Sequence, residues 1–284
     1  MHRSRRRFLQ GLAGSSTGAL GLGVYAWRIE PHWLEIVERD LVIAHLPPEL
    51  EGKTLAQLSD LHVGRRVDDA YLSAAFRRVQ GLQPDLVVVT GDFTSYYQGV
   101  EARLRRVLEG IPRGRLGTFG VLGNHDYGDG WRHVDVADRI AGIAGEAGIR
   151  ILSNESTEVG GLRLVGVDDF WGPRFDPKRA LASLRPSQPT LTLCHNPDGV
   201  DQPGWDGFQG WILAGHTHGG QCRAPFLPPP LLPVANRRYT AGEFDLHDGR
   251  RLYISRGVGH LFRVRFLVRP EVTLFRLRRA PAAA

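Results

Sequence analysis

Thiols, lysines and long apolar runs are all scarce in this chain of 284 residues. The two cysteines, Cys194 and Cys222, are too few for a disulfide framework or a thiolate-built zinc structure. An exported chain with two cysteines has the means for one disulfide; both lie beside polar motifs, where a thiol serves as small buried filler, and two free thiols are expected. Lys53 and Lys178 are the only lysines, so nearly every cation is an arginine. No apolar run reaches the ~20 residues that a membrane-spanning helix requires, and no internal repeat is present. A basic stripe is also missing. Of the net charge of +6, four units belong to Arg3, Arg5, Arg6 and Arg7, leaving about +2 for the rest. That balance argues against a nucleic-acid partner.

The basic start has a different meaning. Ser4-Arg5-Arg6-Arg7-Phe8-Leu9-Gln10 resembles a twin-arginine export signal, and a glycine-interrupted, weakly apolar stretch follows from Gly11 to Ala26. Residues 1–26 are expected to be a signal peptide, with Val24-Tyr25-Ala26 as its cleavage site, or an N-terminal anchor that is retained. Either form places the protein in the periplasm or on the outer face of the cytoplasmic membrane, with the twin-arginine machinery as a partner. The remainder, residues 27–280, is expected to be one catalytic domain and a monomer.

The apolar fraction of 42% suits a large core. Strand-length runs rich in Val, Leu and Ile recur at 55–58, 86–89, 118–122, 162–167, 190–194, 211–214, 252–254 and 272–277. The segment from Trp33 to His45 alternates around Arg39-Asp40 and predicts a hairpin. Helical stripes occur at Leu72, Phe76 and Val79, at Leu104, Val107, Leu108 and Ile111, and at Val136, Ile140 and Ile143. The order predicts an α/β first half and a more antiparallel second half.

Most of the chemistry-bearing motifs stand directly after apolar runs. They are Asp60-Leu61-His62, Gly91-Asp92, Gly123-Asn124-His125-Asp126, His195 and Gly215-His216-Thr217-His218. In α/β folds such positions collect at the carboxyl ends of strands. Carboxylate, amide and imidazole donors without thiolate suit Mn, Fe, Zn, Co or Ni. There are more donors than one ion needs, which points to a pair. One Asp-x-His or Gly-Asp is usually a surface turn; five such segments in this order carry the weight. The other histidines, His2, His32, His45, His133, His247 and His260, lack this context and read as surface or core residues.

These five segments resemble the calcineurin-like metallophosphoesterase family over about Leu55 to Phe275. Gln57-Leu58-Ser59, Gly219-Gly220-Gln221 and Ser255-Arg256-Gly257 resemble its exported bacterial branch. The resemblance implies a four-layer αββα sandwich of two mixed β-sheets flanked by helices, and two divalent metal ions. Asp60, His62, Asp92 and His218 would hold the first ion. Asp92, Asn124, His195 and His216 would hold the second, with Asp92 bridging. His125 would protonate the leaving oxygen or stabilise the transition state, and Asp126 would orient it. The implied reaction is phosphoester hydrolysis by a bridging hydroxide, most closely that of a phosphodiesterase on an envelope or lipid-linked substrate. Phosphomonoesterase, lipid-linked pyrophosphatase and a metal-stabilised protein-binding scaffold are the alternatives; intact ligand sets and His125 favour an enzyme.

Arg256 is a further candidate, for substrate phosphate, because a guanidinium matches phosphate geometry. Aromatic and apolar clusters around Phe93, Tyr96 and Tyr97, Phe170 and Trp171, Phe226 to Leu232, and Leu261 and Phe262 either pack the core or form an apolar rim for peripheral membrane contact. Arg237, Arg238, Arg263 and Arg265 are interleaved with them.

Overall fold

A computed structural model describes residues 18–185 and 187–281. The twin-arginine motif and the end of the chain lie outside the described residues.

Two six-stranded mixed sheets pack face to face. The first has the order β1 (Glu35–Ile43), β12 (Glu271–Arg279), β2 (Thr54–Leu58), β3 (Leu86–Thr90), β4 (Gly117–Val121), β5 (Arg150–Ile151). The second has the order β10 (Gly242–Asp245), β11 (Arg250–Ile254), β9 (Gly210–Ala214), β8 (Thr190–Cys194), β7 (Leu162–Val167), β6 (Glu155–Val159). Leu55, Val88, Val121 and Phe275 of the first sheet meet Leu164, Leu193, Leu213 and Tyr253 of the second in the central core. The predicted runs are buried on both faces, which is why they read as continuous rather than alternating apolar segments.

Three helices cover the outer face of the first sheet: α1 (Asp69–Gly81), α2 (Glu101–Leu108) and α3 (Val134–Glu146). Each buries the apolar stripe seen in its sequence, such as Leu72, Phe76 and Val79 in α1. The fourth layer is thinner. It consists of the five-residue α4 (Pro177–Leu181) with loop residues Val200, Trp205, Phe208 and Tyr239 packed on the second sheet. This is the four-layer αββα sandwich that the family resemblance implies.

Two expectations are corrected. Trp33 to His45 is no hairpin: Glu35–Ile43 is one strand paired in parallel with β12, and Asp40 sits opposite Arg276. The charged pair at its middle faces solvent on an edge strand, where charges are tolerated without a turn. The second half is also less antiparallel than expected, because β7, β8, β9 and β11 all run parallel. Their crossovers run through loops, short turns and, between β7 and β8, only the five-residue α4, which is too short to leave a helical stripe in the sequence.

Residues 18–24 form a helical segment, continued by a wider helical turn over Tyr25–Ile29. This turn and the residue after it are fastened to the domain: Arg265 N–H donates to Ala26 O at 2.9 Å, and Val268 N–H donates to the buried Glu30 carboxylate at 2.5 Å. No helix among the described residues is long and apolar enough to cross a membrane.

Candidate metal centre

Parallel strands from both sheets deliver the site at their carboxyl ends. Asp60 and His62 follow β2, Asp92 follows β3, Asn124 follows β4, His195 follows β8, and His216 and His218 follow β9. The chain turns sharply at each point. Asp60, His62, Asp92, His216 and His218 all hold positive φ, between 48° and 70°. Such conformations are costly for residues with a Cβ and concentrate where a site needs them. Glycines make room for the approach: a Cβ on Gly215 would strike Ser59 and the Asp60 carboxylate, and one on Gly123 would strike Asp92.

The side chains converge in two groups. Asp60, His62 and His218 form one; Asp92, His195 and His216 form the other, each with its donor atoms within 4.8 Å of one another. His62 Nε2 faces His218 Nε2 at 3.0 Å, and His216 Nδ1 faces His195 Nε2 at 3.3 Å. The Asp92 Oδ2 atom joins the groups, lying 3.6 Å from His62 Nε2 and 3.2 Å from His195 Nε2.

Outer partners fix which ring nitrogen faces inward. A carbonyl only accepts, so His195 Nδ1 and His216 Nε2 carry the protons that reach Thr90 O at 2.7 Å and Pro233 O at 2.8 Å. Their other nitrogens, His195 Nε2 and His216 Nδ1, therefore face the centre, the orientation typical of imidazole ligands. Burial lowers the His195 pKa, but the neighbouring Asp92 carboxylate raises it well above its ordinary value, so that ring would give up its inward proton to a cation. His62 Nδ1 pairs with Ser95 Oγ at 2.9 Å. Burial pushes the imidazoles of His62 and His218 well below their ordinary pKa and that of His216 down to about 3, which keeps the three rings neutral.

The donor set fits a pair of cations. Asn124 is fully buried, and neither of its amide atoms has a hydrogen-bond partner. Native interiors rarely leave such a group unpaired, and a cation on its oxygen would satisfy it. Carboxylates are crowded together as well. Burial, with the Asp92 charge adding to it, pushes Asp60 up to about 6 and Asp169 up to about 7. Positive charge at the centre would relieve both.

Two candidates are placed differently from the sequence expectation. Asp126 does not orient the His125 ring. Its buried carboxylate accepts main-chain N–H groups of Phe93 (3.2 Å), Thr94 (3.1 Å) and Gly123 (2.9 Å), so it ties the loop after β3 to the loop after β4. Arg256 is not free for phosphate, because its guanidinium is held by Glu271 and, at 2.9 Å, by Glu35. Two facing carboxylates neutralise it where a substrate would need open charge. His260 is a core residue, one of the two readings expected for it: it is buried, its Nε2 faces Arg66 O at 3.1 Å, and burial lowers its pKa to about 4. His125 is half-buried and edge-on to His62, with ring centroids 5.2 Å apart.

Other residues were missed in the sequence. Asp169 is fully buried close to His195 and Asp92, with one oxygen unpaired. Its signal was present, since Asp168-Asp169 follows the run at 162–167 just as the other motifs follow theirs. Trp131 and Trp171 stack at 4.7 Å, and Trp171 stands edge-on to His216 at 4.5 Å. Nothing local in the sequence pairs two tryptophans from opposite halves. Cys194 and Cys222 are both free thiols.

With this geometry in view, the comparison with known proteins is decisive. Residues 53–220 match the calcineurin-like phosphoesterase family. The chain belongs to that family. It is 33% identical to Phosphodiesterase YaeI of Escherichia coli (strain K12), over 96% of this chain and 99% of that protein. It is 28% identical to the UDP-2,3-diacylglucosamine pyrophosphatase LpxG of Chlamydia trachomatis, over 94% of this chain and 97% of that protein. It is 30% identical to the uncharacterized metallophosphoesterase YkuE of Bacillus subtilis (strain 168), over 97% and 98%. The family uses divalent metals, and this chain is a hydrolase of phosphoester bonds.

Proposed function

We propose that the chain is a two-metal phosphodiesterase acting on an envelope or lipid-linked substrate after export. The carrying observation is Asp92, whose single carboxylate oxygen serves both ligand groups, at 3.6 Å from His62 and 3.2 Å from His195. Asp60, His62 and His218 would hold one ion, Asn124, His195 and His216 the other, with Asp92 shared. Two divalent ions, when bound, acidify water to a nucleophile near neutral pH and offset the charge that builds on the phosphoryl oxygens.

The chain supplies the remaining parts. His125 lines a cavity of about 360 Å³ together with Arg65, Arg66 and Tyr97, so its imidazole is open to substrate. There it would hold a proton and pass it to the departing oxygen. Its main-chain N–H donates to Asp92 Oδ1 at 3.0 Å, which fixes the shared carboxylate and the proton donor in one frame. Asp126 braces that frame through its three amide bonds. The half-buried Trp131–Trp171 stack abuts the His216 ring through Trp171.

A diester is favoured by the 33% identity to a protein named as a phosphodiesterase. Pyrophosphate cleavage is the second reading, favoured by the relative named as a UDP-2,3-diacylglucosamine pyrophosphatase. Hydrolysis assays on the metal-reconstituted full chain should compare bis-p-nitrophenyl phosphate, p-nitrophenyl phosphate and a lipid-linked pyrophosphate. The diester is expected to be cleaved fastest. Cleavage of the monoester alone would overturn the diester reading, and no cleavage by metal-loaded protein would overturn the enzymatic one.

A further inference from the structure

Two cavities of opposite character flank the ligand cluster, one reaching His218 and the other reaching His125 beside His62. The first, of about 470 Å³, ends at Thr217 and His218 and is walled by Leu231, Leu232, Phe262 and Val264. The second, of about 360 Å³, holds His125 with Arg65, Arg66, Tyr96 and Tyr97, and with Asp129 as its one carboxylate against two guanidinium groups. Leu261 lines both. The His62 ring stacks on His218 at 5.0 Å and meets His125 edge-on at 5.2 Å, so the imidazole cluster lies where the arms meet. Among the described residues, Arg65 and Arg66 form no ion pair with a carboxylate; Arg65 lies over the Tyr97 ring, and Arg66 lies over the Phe262 ring and donates one N–H to Leu261 O. Their charge is open to an anion.

We propose, on the basis of the phosphoesterase reading above, that the substrate is an anionic amphiphile. Its acyl chain lies in the apolar arm, its scissile phosphorus at the ligand cluster, and its charged remainder against Arg65 and Arg66. The apolar arm selects a hydrocarbon chain over a peptide. A peptide brings N–H and C=O groups that need partners, and this lining offers almost none; a hydrocarbon brings none. The volume falls within the usual range of about 300–1,000 Å³ for ligand sites. The lining is exposed as well: Leu231 is 72% exposed and Phe262 60%, so water faces side chains that a lipid tail would cover.

The test uses the metal-loaded full chain with His125→Ala, so that probes survive, and calorimetry below micelle-forming concentrations. Decanoyl-lysophosphatidylglycerol is expected to bind at least about tenfold more tightly than glycerophosphoglycerol, which lacks the chain. It is also expected to bind more tightly than decanoyl-lysophosphatidylcholine. Leu231→Asp with Val264→Asp should collapse the first ratio toward one, and Arg65→Gln with Arg66→Gln the second. Should the apolar-arm variant fail to fold, the comparison of probes on the parent protein still decides. Equal affinity with and without the acyl chain would overturn the proposal. Chain-dependent binding by protein whose unmutated form cleaves no phosphoester would uphold the groove and remove the phosphoesterase reading instead.

Discussion

Ser95 and Thr90 show how much of the site is set by groups that hold other groups. Ser95 Oγ pairs with the outer nitrogen of His62 at 2.9 Å. Ser95→Ala is expected to weaken metal binding by roughly 10–100-fold, the usual cost of losing such a partner; chelator competition measures it. His125→Ala should slow turnover by about 10²–10⁴-fold, the span of general acid catalysis, while metal content stays at the parent level. A metal-depleted His125 variant would contradict its assignment. Asp126 belongs to a different class. Asp126→Ala leaves three buried N–H groups without an acceptor, at about 1–3 kcal/mol each, and a lower melting temperature is the expected outcome. The donor residues stood out in the sequence because each follows a strand. The Asp126 bonds did not, because they join two loops more than thirty residues apart and leave no local pattern.

At the level of elements, strands buried on both faces were the most legible part of the fold. The runs at 55–58, 86–89 and 190–194 are β2, β3 and β8. The edges were not. β1 was mistaken for a hairpin because its solvent-facing charges imitate a turn, and the short β5 at Arg150–Ile151 has too few residues to show a period. The parallel pairing of the second sheet was hidden because its crossovers are loops and one five-residue helix, too short to show a period. The inter-sheet core gives a direct check. Phe275 is buried between the sheets with its ring edge-on to Tyr253 at 5.0 Å. Phe275→Ala should cost about 3–5 kcal/mol in urea unfolding, as large core truncations do; a cost below 1 kcal/mol would show that the two sheets do not share this core.

For the whole molecule, the two sheets matter because their parallel strands end on one rim, and that rim joins halves of the chain distant in sequence. Gln57, buried in β2, donates to Ala214 O of β9 at 2.9 Å, and His216 N–H donates to the Asp60 carboxylate at 3.1 Å. A folded domain is thus a precondition for the metal centre, which accords with the proposed export in the folded state. Replacing Arg5 and Arg6 by lysine is expected to trap the protein in the cytoplasm on cell fractionation; unchanged export would exclude the twin-arginine route. The pairing of metals through one side chain remains the point on which the chemistry turns. Elemental analysis of the folded, metal-saturated full chain, beside its Asp92→Asn variant, tests it most directly. Two ions per chain are expected in the parent and loss of both in the variant, whereas a single ion in the parent, or two retained without the Asp92 carboxylate, would contradict a shared bridge.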